Sequence, residues 1–442
     1  MNTLRSPLQA QVVEWLVAPG DTVAPGQVVL ILEAMKMEHE IRATAAGIVA
    51  ECNGVRGDTV MEGDVLLRTQ PEAVASAAAP SAVATSAMST AAATTNPAPA
   101  STAPRADLQR VIDRHALTHD AARPAAMAKR HALGLRSARE NITDLCDAGS
   151  FDEYGALAVA AQQSRRSEDD LMRNTPADGM VTGIGQVNGA LFGAHRARTV
   201  VMAYDATVLA GTQGFRNHQK TDRLLGIALR QRLPVVLFAE GGGGRPGDVD
   251  MRIVAGLHVP TFASFARLNG RVPVIGIAAG RCFAGNAALL GCCDVVIATR
   301  DSNIGMGGPA MIEGGGLGVY TPEQVGPSDV QHGNGVIDIL CDDEAQAVAA
   351  ARQYLSHFQG PLPAEQVQAP DTTALRAVVP ENRVRAYDTR TAIEGIADIG
   401  SVLYLRRGFG AGIHTALARI GGHAVGVLAN NPSHLGGAID AD

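Results

Sequence analysis

The chain has few of the residues on which several protein classes depend. It has only six cysteines among 442 residues, and none of them forms a C-x-x-C pair. Cysteines this sparse predict neither a disulfide framework nor a zinc ribbon. Its twelve histidines follow no metal-ligand spacing, so we expect no metal site. No apolar run approaches the roughly 20 residues of a membrane helix, and the N-terminal sequence MNTLRSPLQA lacks the apolar core of a signal peptide. These absences favour a soluble, cytoplasmic protein.

Charge is also sparse, and lysine in particular. Charged residues make up 18% of the sequence, below the roughly 25% of an average domain. The formal net charge of −7 argues against nucleic acid as a main partner. The only lysines are Lys36, Lys129 and Lys220. The length of 442 residues corresponds to two to four domains of roughly 100–200 residues each.

One long segment carries no charge at all. Residues 73–104 are mostly Ala, Ser, Thr and Pro, a composition that cannot bury enough apolar surface to fold. We therefore expect a flexible linker over residues 72–104, which separates a domain at 1–71 from the rest. A flexible chain of this length spans about 30 Å on average and close to 100 Å when extended. That range suits a domain that moves between sites.

The N-terminal domain contains an internal repeat. Residues 20–30 read GDTVAPGQVVL and residues 57–67, 37 positions later, read GDTVMEGDVLL. Gly-Asp favours a tight turn and the β-branched run after it a short strand, so the two halves predict a small, two-fold, all-β sandwich. Between them, the apolar residues Val29, Ile31 and Ile41 predict two strands joined by a turn over residues 34–37.

Lys36 occupies that turn. A lysine in a turn is most often only solvated, but this one lies between Met35 and Met37, midway through a two-fold module. The motif EAMKMEHE, with the repeats around it, resembles a biotin carboxyl carrier domain. The resemblance implies covalent biotin on Lys36, Met35 and Met37 beside the cofactor, and a biotin protein ligase as a partner. A lipoyl domain shares the fold, but its lysine does not usually lie between two methionines.

The sequence after the linker predicts an α/β fold. Ser137 and Glu140 form a capping-box pattern, which predicts the start of a helix that Gly149 would end. Apolar strands are then expected at 200–203, 234–239, 273–279 and 294–298, with helices at 221–232 and 286–292. Alternating strands and helices with glycine-rich turns at the strand ends are typical of α/β proteins.

A glycine-rich loop precedes the second of these helices. The sequence IGIAAGRCFAGN over residues 275–286 predicts a helix start near Gly285, where the first N–H groups have no partner inside the helix. Two such groups at the positive end of a helix dipole can hold an oxyanion, which is what enolate formation at a thioester requires. Taken alone, the loop is more often an ordinary turn between a strand and a helix.

The sequence around this loop favours the functional interpretation. The segments LPVVLFAEGGGGR (233–245), ATRDSNIGMGGPAMIEGGGLGVY (298–320) and VQHGNGVIDIL (330–340) accompany it. Together they resemble the carboxyltransferase component of biotin-dependent acyl-CoA carboxylases, a tandem of two crotonase-like halves, over about residues 130–360. The resemblance implies that Gly285 and Asn286 are catalytic, with N–H groups that bind the thioester oxygen. The family often has Gly-Gly where this chain has Gly-Asn.

The same resemblance implies a substrate pocket and domain boundaries. Gly242, Gly243, Gly307 and Gly308 would line the acyl-CoA pocket, because glycine lets the backbone approach a ligand closely. The N-terminal carboxyltransferase domain would extend over residues 105–380. Residues 381–442 would be the start of the C-terminal carboxyltransferase domain.

A second repeat supports that division. RENITDLCDAGS at 139–150 matches RTAIEGIADIGS at 390–401, 251 positions later. We expect the second module to be truncated, or completed by another chain, and an apolar strand at 424–429 to lack partners. In the family the second half contains the hole for the biotin ureido oxygen. The spacing of the first hole from the repeat would place that second hole beyond Asp442.

These features predict the carboxyltransferase component of a biotin-dependent acyl-CoA carboxylase, fused to its biotin carrier. It would transfer CO₂ from carboxybiotin to the α-carbon of an acyl-CoA. A separate ATP-dependent biotin carboxylase would carboxylate the biotin, and a homo-oligomer is expected because the family builds its pocket at dimer interfaces. The alternatives are a biotin-dependent acyl-CoA decarboxylase, a hydratase-like crotonase that uses Glu313, and a non-catalytic biotinylated CoA-binding carrier.

Five further charged residues have two interpretations each. Arg216, Lys220 and Arg223 have helical spacing and could meet CoA phosphates, although a solvated basic face fits equally well. Glu240 and Glu313 lie beside glycine-rich loops and could act as acid or base, although structural hydrogen bonding is the commoner role.

Overall fold

A computed structural model describes residues 1–34, 36–71, 104–245, 247–250, 259–382 and 384–440. These residues form two compact units, one before and one after the division at residues 98–99. The linker predicted over residues 72–104 lies outside the described residues, apart from Pro104.

The N-terminal unit is made of eight strands in two sheets. The strands are β1 (Asn2–Arg5), β2 (Ala10–Trp15), β3 (Thr22–Val23), β4 (Val28–Ala34), β5 (Met37–Arg42), β6 (Gly47–Cys52), β7 (Thr59–Val60) and β8 (Val65–Gln70). One sheet has the order β1-β8-β6-β3 and the other the order β5-β4-β2-β7. The side chains of Val29, Leu30, Leu32, Leu66 and Leu67 are buried in its core.

The sequence repeat of this unit is also a structural repeat. A shift of 37 positions carries β2, β3 and β4 onto β6, β7 and β8. Each half contributes strands to both sheets, so the two sheets have equivalent orders. The prediction of a small two-fold β-sandwich is confirmed.

The second unit contains thirteen helices and thirteen strands among its described residues. The helices are α1 (Ala106–Ala116), α2 (Pro124–His131), α3 (Ala138–Leu145), α4 (Glu168–Asn174), α5 (Gly189–Phe192), α6 (Ala194–Ala197), α7 (Phe215–Gln231), α8 (Thr261–Ala266), α9 (Gly285–Leu290), α10 (Pro309–Gly314), α11 (Ser328–Gly333), α12 (Glu344–Ser356) and α13 (Thr389–Ile396). The strands are β9 (Asp152–Glu153), β10 (Met180–Gln186), β11 (Arg198–Tyr204), β12 (Val235–Phe238), β13 (Gly241–Gly242), β14 (Val274–Ala278), β15 (Arg281–Phe283), β16 (Val295–Thr299), β17 (Asn303–Gly305), β18 (Ile339–Cys341), β19 (Leu403–Leu405), β20 (Ile413–Ile420) and β21 (His423–Asn430).

A seven-stranded sheet organises this unit, in the order β18-β16-β14-β12-β11-β10-β9. The strands from β11 to β18 are parallel, whereas β10 and β9 run antiparallel to their neighbours. Alternate residues of each strand point to opposite sides of the sheet, and helices pack against both sides. Met202 packs in the cluster that contains α7, and Val201 packs in the cluster that contains α3 and α12. The predicted α/β fold is confirmed.

Two helix boundaries differ from the expectation by more than two residues. α7 begins at Phe215 rather than Thr221, because its first turns carry the polar sequence RNHQK, which gives no apolar periodicity to detect. α3 starts with the expected capping box of Ser137 and Glu140, but it ends at Leu145, so Gly149 does not cap it.

The second sequence repeat also corresponds to repeated structure. A shift of 251 positions places α3 on α13 and β9 on the start of β19. The sheet β19-β20-β21 then has the same antiparallel order as β9, β10 and β11. The expectation that residues 424–429 lack a partner is wrong on one side, because β21 pairs with β20 along its whole length. Gly421 and Gly422, with φ of 58° and 81°, form the tight turn that makes this local pairing possible.

Candidate functional site

A small parallel sheet brings three glycine-rich segments together. β15 lies between β13 and β17, so Gly242 pairs with Phe283, and Phe283 pairs with Gly305. These strands follow the carboxyl ends of β12, β14 and β16 in the large sheet. In α/β folds the carboxyl ends of parallel strands are where ligands bind.

The loop predicted to bind an oxyanion turns sharply at Ala284. This residue has φ 50° and ψ −120°, a conformation that favours glycine, and its N–H donates to the carbonyl of Gly305 over 2.9 Å. The helix α9 begins at the next residue. Among the described residues, no acceptor receives the N–H of Gly285 or of Asn286. The geometry therefore leaves two backbone donors available at the start of α9, where the helix dipole is positive.

The side chain of Asn286 has a separate, structural task. It is fully buried, and its Nδ2 donates to the carbonyls of Gly211 at 3.1 Å and Glu240 at 2.7 Å. Asn286 thereby ties the start of α9 to the loop after β12. A glycine at this position would keep the N–H and lose both of these bonds.

Gly285 is packed against Gln213. A Cβ on Gly285 would collide with the Gln213 side-chain oxygen, whereas the Gln213 Nε2 donates to the hydroxyl of Tyr204 over 3.2 Å. The Gln213 backbone is bonded to the glycine run, because its N–H donates to the carbonyl of Gly243 over 2.8 Å. Sequence reasoning missed Gln213, which has no motif of its own.

Two of the four glycines predicted to line a pocket, Gly242 and Gly308, lie against Phe283. Gly242 is paired with it, and a Cβ on Gly242 would collide with its carbonyl. A Cβ on Gly308 would contact the Phe283 ring at 3.7 Å, and one on Gly307 would contact Met311 at 3.6 Å. Gly243 has φ 79° and open space in front of it. The fold thus places the predicted glycines near Gly285 in space, although they lie far from it in sequence.

A buried ion cluster fixes the glycine run. Arg245 is bonded to Asp178 and lies 3.6 Å from Asp248, and all three side chains are buried. The Arg245 Nη2 also donates to the carbonyl of Thr212 over 2.9 Å, two residues before Gly214. Sequence reasoning missed this anchor, although an arginine directly after four glycines was a visible signal.

Glu240 belongs to a second ion pair, which is mostly buried. Its carboxylate accepts two bonds from Arg130, at 2.9 and 2.6 Å. Burial raises the pKa of Glu240 to about 7, against the opposing effect of the Arg130 guanidinium. Because a bidentate arginine satisfies both oxygens, this geometry favours the structural role over the acid–base role. Glu313, the other candidate, is exposed on α10.

The three basic residues of α7 do not form one surface. Lys220 is buried, and its Nζ donates to the carbonyls of Ala177 at 2.9 Å and Met180 at 2.5 Å. Burial lowers its pKa to about 8. Arg223 is exposed on the same helix. The interpretation of Lys220 as a phosphate contact is therefore wrong.

In the N-terminal unit, Lys36 lies at the tip of the β4–β5 hairpin. It is exposed, has φ 65°, and its amine has no partner among the described residues. Met37, which begins β5, is 65% exposed, and Met35 lies outside the described residues. An exposed amine at a hairpin tip, without a partner among the described residues, fits a covalently attached biotin, because a ligase can reach it.

The described residues show no features of two other classes of site. No helix among them is long and apolar enough to cross a membrane. No group of three or more His, Cys, Asp or Glu side chains in these ranges could hold a metal ion.

Comparison with protein families assigns both units. Residues 129–442 match the carboxyl transferase domain family, and residues 2–68 match the family described as biotin-requiring enzyme. The methylmalonyl-CoA carboxyltransferase 12S subunit of Propionibacterium freudenreichii subsp. shermanii is 30% identical over 71% of this chain and 59% of its own length. The biotin-dependent long chain acyl-coenzyme A carboxylase beta4 subunit of Mycobacterium tuberculosis is 32% identical over 74% of this chain and 62% of its own length.

Two solved structures resemble the chain. A single-chain, multi-domain long-chain acyl-CoA carboxylase has a TM-score of 0.75 and 54% identity, over 100% of this chain and 40% of that one. A transcarboxylase 12S crystal structure, described as a hexamer assembly with methylmalonyl-coenzyme A bound, has a TM-score of 0.63 and 27% identity, over 76% of this chain and 64% of that one. This chain therefore spans less than two thirds of the length of each of these relatives.

Proposed function

The chain belongs to the carboxyl transferase domain family and has a biotin-requiring-enzyme domain at its N-terminus, and from this premise we propose that it transfers a carboxyl group to the α-carbon of an acyl-CoA. One observation carries the proposal. One chain carries an exposed lysine amine at a hairpin tip and two backbone N–H groups at a helix start, and none of these donors has a partner within the described parts of the chain.

The N-terminal domain indicates covalently attached biotin as the cofactor, and we propose the Lys36 Nζ as the point of attachment. Bound biotin supplies the activated carboxyl group. The chain's own contribution is to present the amine at the end of the β4–β5 hairpin, with the apolar side chain of Met37 beside it. A biotin protein ligase would form the amide bond.

At the carboxyltransferase site the reacting group is the thioester of the acyl-CoA. Its oxygen gains negative charge when the α-carbon loses a proton, and the N–H groups of Gly285 and Asn286 would donate to it. Backbone donors fixed by the fold need no reorganisation when that charge develops, and one such donor is worth about 10²–10³ in rate. Gly242, Gly243, Gly307 and Gly308 would line the adjoining acyl-CoA pocket.

Partners and assembly follow from the same proposal. A separate, ATP-dependent biotin carboxylase would charge the carrier. A homo-oligomer is supported by the hexamer described for the transcarboxylase 12S relative. We also propose a carboxyltransferase domain over residues 105–380 and the start of a second one over 381–442, on the strength of the repeated helix and sheet.

We further propose that the acyl group is long. The relative described as a long-chain acyl-CoA carboxylase is 54% identical over the whole chain, whereas the methylmalonyl-CoA relative is 27% identical over 76% of it. Exposed apolar side chains lie next to Gly307, with Met306 at 67% and Met311 at 65% exposure. A long acyl chain could cover them.

Intact-mass measurement after co-expression with a biotin ligase tests the carrier assignment. We expect one biotin adduct on the wild-type chain and none on Lys36→Arg, which retains the charge and loses the nucleophile. Lys129→Arg is the matched control, because Lys129 is also an exposed lysine, and it should remain biotinylated. An adduct on Lys36→Arg would contradict the proposal.

Calorimetric titration with acyl-CoAs of increasing length tests the second site. We expect binding by wild type and by Lys36→Arg alike, with affinity that increases from propionyl-CoA to palmitoyl-CoA. Loss of acyl-CoA binding in Lys36→Arg would contradict the division into a carrier and a separate transferase site. Equal affinity for both ligands would contradict the long-chain assignment.

A further inference from the structure

A basic cleft opens at the edge of the large sheet opposite to the candidate site. It lies where β11, β12 and β14 begin, and Arg198, Pro234 and Pro273 at these strand starts line it. The proposed acyl-CoA site lies at the carboxyl ends of the same strands. The five residues of β14 separate the two edges by about 17 Å, at roughly 3.3 Å per residue. The cleft is therefore a separate site.

The cleft is large enough for a small molecule. Its volume is about 420 Å³, which lies within the range of small-molecule sites, roughly 300–1,000 Å³. A separate open groove beside Asp147 and Arg352 has a volume of about 680 Å³. That groove carries carboxylates as well as an arginine, so it lacks the single sign of charge that the cleft has.

The walls of the cleft are strongly cationic, although the chain as a whole is acidic. Arg196, Arg198, Arg232 and Arg271 line it, and none of the described acidic residues does. Arg198 is held by Gln231, whose Oε1 accepts from its Nη2 over 2.9 Å. Within the described ranges, the other three guanidinium groups have no carboxylate within 4.0 Å. Three such arginines at one cleft favour an anionic ligand, because a guanidinium binds phosphate oxygens in a bidentate manner.

Arg232 is placed there by an unusual backbone conformation. It ends α7 with φ 53° and ψ 46°, the left-handed region in which glycine is the ordinary residue at a helix end. An arginine in this conformation costs the fold free energy that a glycine would not. Strain of this kind is concentrated at functional positions, and here it places one of the three unpaired arginines in the cleft.

The rest of the lining is apolar and includes an aromatic ring. Phe358 is 51% exposed, and its ring packs on Tyr354 with a centroid separation of 5.0 Å. Pro234, Pro273 and Pro361 add flat apolar surface. An exposed ring fixed from behind offers a stacking surface for a planar group, and the arginines offer contacts for several phosphate oxygens.

We propose that this cleft binds a nucleoside polyphosphate, with its phosphates on Arg196, Arg232 and Arg271 and its base against Phe358. The cleft does not depend on the proposed carboxyltransferase function, because none of its residues lies at the carboxyl edge of the sheet.

The test is a titration of the full chain with ATP, in about 150 mM salt to screen non-specific attraction. We expect saturable binding that weakens about tenfold or more in the double variant Arg232→Gln/Arg271→Gln. Arg110→Gln is the matched control, because Arg110 is exposed on α1 and outside the cleft, and it should bind ATP as wild type does. Unchanged melting temperatures would show that the variants are folded. Equal ATP binding by wild type and the double variant would overturn the proposal.

Three further titrations distinguish this site from alternative modes of binding. Phe358→Ala should weaken ATP but leave inorganic tripolyphosphate unchanged, and an equal effect on both would overturn the placement of the base. Saturating acyl-CoA should not displace ATP, and displacement would mean that ATP occupies the CoA site instead. A poly-glutamate peptide that binds more tightly than ATP, and loses that affinity in the double variant, would overturn the proposal in favour of an acidic protein partner.

Discussion

Asp147 and Asp398 lie 251 positions apart and make the same two kinds of hydrogen bond. The N–H of Asp147 donates to the carbonyl of Gln186 over 2.7 Å, and the N–H of Asp398 donates to that of Arg419 over 2.7 Å. Each carboxylate also accepts a hydrogen bond from the N–H of a glycine just after the strand that contains that carbonyl. The glycine is Gly189, after β10, for Asp147 at 2.6 Å, and Gly422, after β20, for Asp398 at 2.7 Å. The repeated sequence therefore encodes a repeated way of fastening a helix to a sheet.

Asp398→Asn should destabilise the chain. The buried Asp398 carboxylate accepts from the N–H groups of Gly421 and Gly422 at 2.8 and 2.7 Å, and an amide has only one oxygen to offer them. We expect the free energy of unfolding to fall by about 1–3 kcal/mol, as measured by urea titration. Asp301→Asn, at an exposed aspartate, should change it little. An equal loss in both variants would contradict the role given to the β20–β21 turn.

Local sequence patterns predicted much of the fold. The 37-residue repeat predicted the sandwich because each copy of the repeat encodes a tight turn followed by a strand, and the capping box of Ser137 and Glu140 predicted the start of α3. Alternating apolar segments predicted the strands of the large sheet to within one residue or so at β12, β14 and β16. These features depend on neighbours in sequence, which a single chain shows directly.

The supports of the site could not be predicted in this way. Arg245 and Asp178 are 67 positions apart, and Asn286 reaches Gly211 and Glu240 across loops from different strands. No local pattern marks such pairs, because they form only when the sheet brings the loops together. The error over Lys220 has the same origin, since its helical spacing was correct but its side chain points into the unit.

Arg245→Met should lower the free energy of unfolding more than most single substitutions do. It would leave the buried carboxylates of Asp178 and Asp248 without their cation, which costs about 3–5 kcal/mol. Burial already raises the pKa of Asp178, so loss of Arg245 should raise it further. The difference in unfolding free energy between wild type and Arg245→Met should shrink as the pH falls, since a protonated carboxyl needs no cation. Urea titrations of wild type and variant at neutral and acid pH measure it.

Arg267→Met provides the control for that change, because Arg267 is exposed at the end of α8. It should leave the urea midpoint close to that of wild type. A deficit for Arg245→Met that is small, or that grows at acid pH, would contradict a buried ion cluster as the anchor of the glycine run.

Lys220 should make the stability depend on pH in the alkaline range. Its pKa is lowered to about 8 in the folded chain and is about 10.4 in an unfolded one. Between these values the unfolded state binds more protons, so this group's contribution to stability rises with pH. The free-energy cost of burying the protonated amine is complete below pH 8, and it disappears as the pH approaches the pKa of the lysine in the unfolded chain. The slope is about 1.4 kcal/mol per unit of pH.

Lys220→Met isolates this contribution, because methionine does not titrate and fills a similar volume. The difference in unfolding free energy, wild type minus variant, should increase between pH 8 and pH 10 by about 2–3 kcal/mol. Arg223→Met, an exposed change on the same helix, should leave the slope of wild type intact. A difference that stays flat over this range would mean that Lys220 is not desolvated in the folded chain.

Gly285→Ala tests the proposed oxyanion site. The added Cβ would collide with the side-chain oxygen of Gln213, so either the start of α9 or Gln213 must move and the two N–H groups lose their alignment. Since one such donor is worth about 10²–10³ in rate, we expect carboxyl transfer to fall by about that factor in an assay supplied with a biotin carboxylase. Acyl-CoA binding should weaken much less, because the donors act on charge that develops during the reaction.

Gly291→Ala is the matched control, because Gly291 lies at the other end of the same helix. A Cβ at Gly291 would make an ordinary contact of 3.5 Å with its nearest atom, so this variant should keep near wild-type activity. If both variants lost activity together with their melting temperature, the effect would be loss of α9 rather than loss of the oxyanion donors.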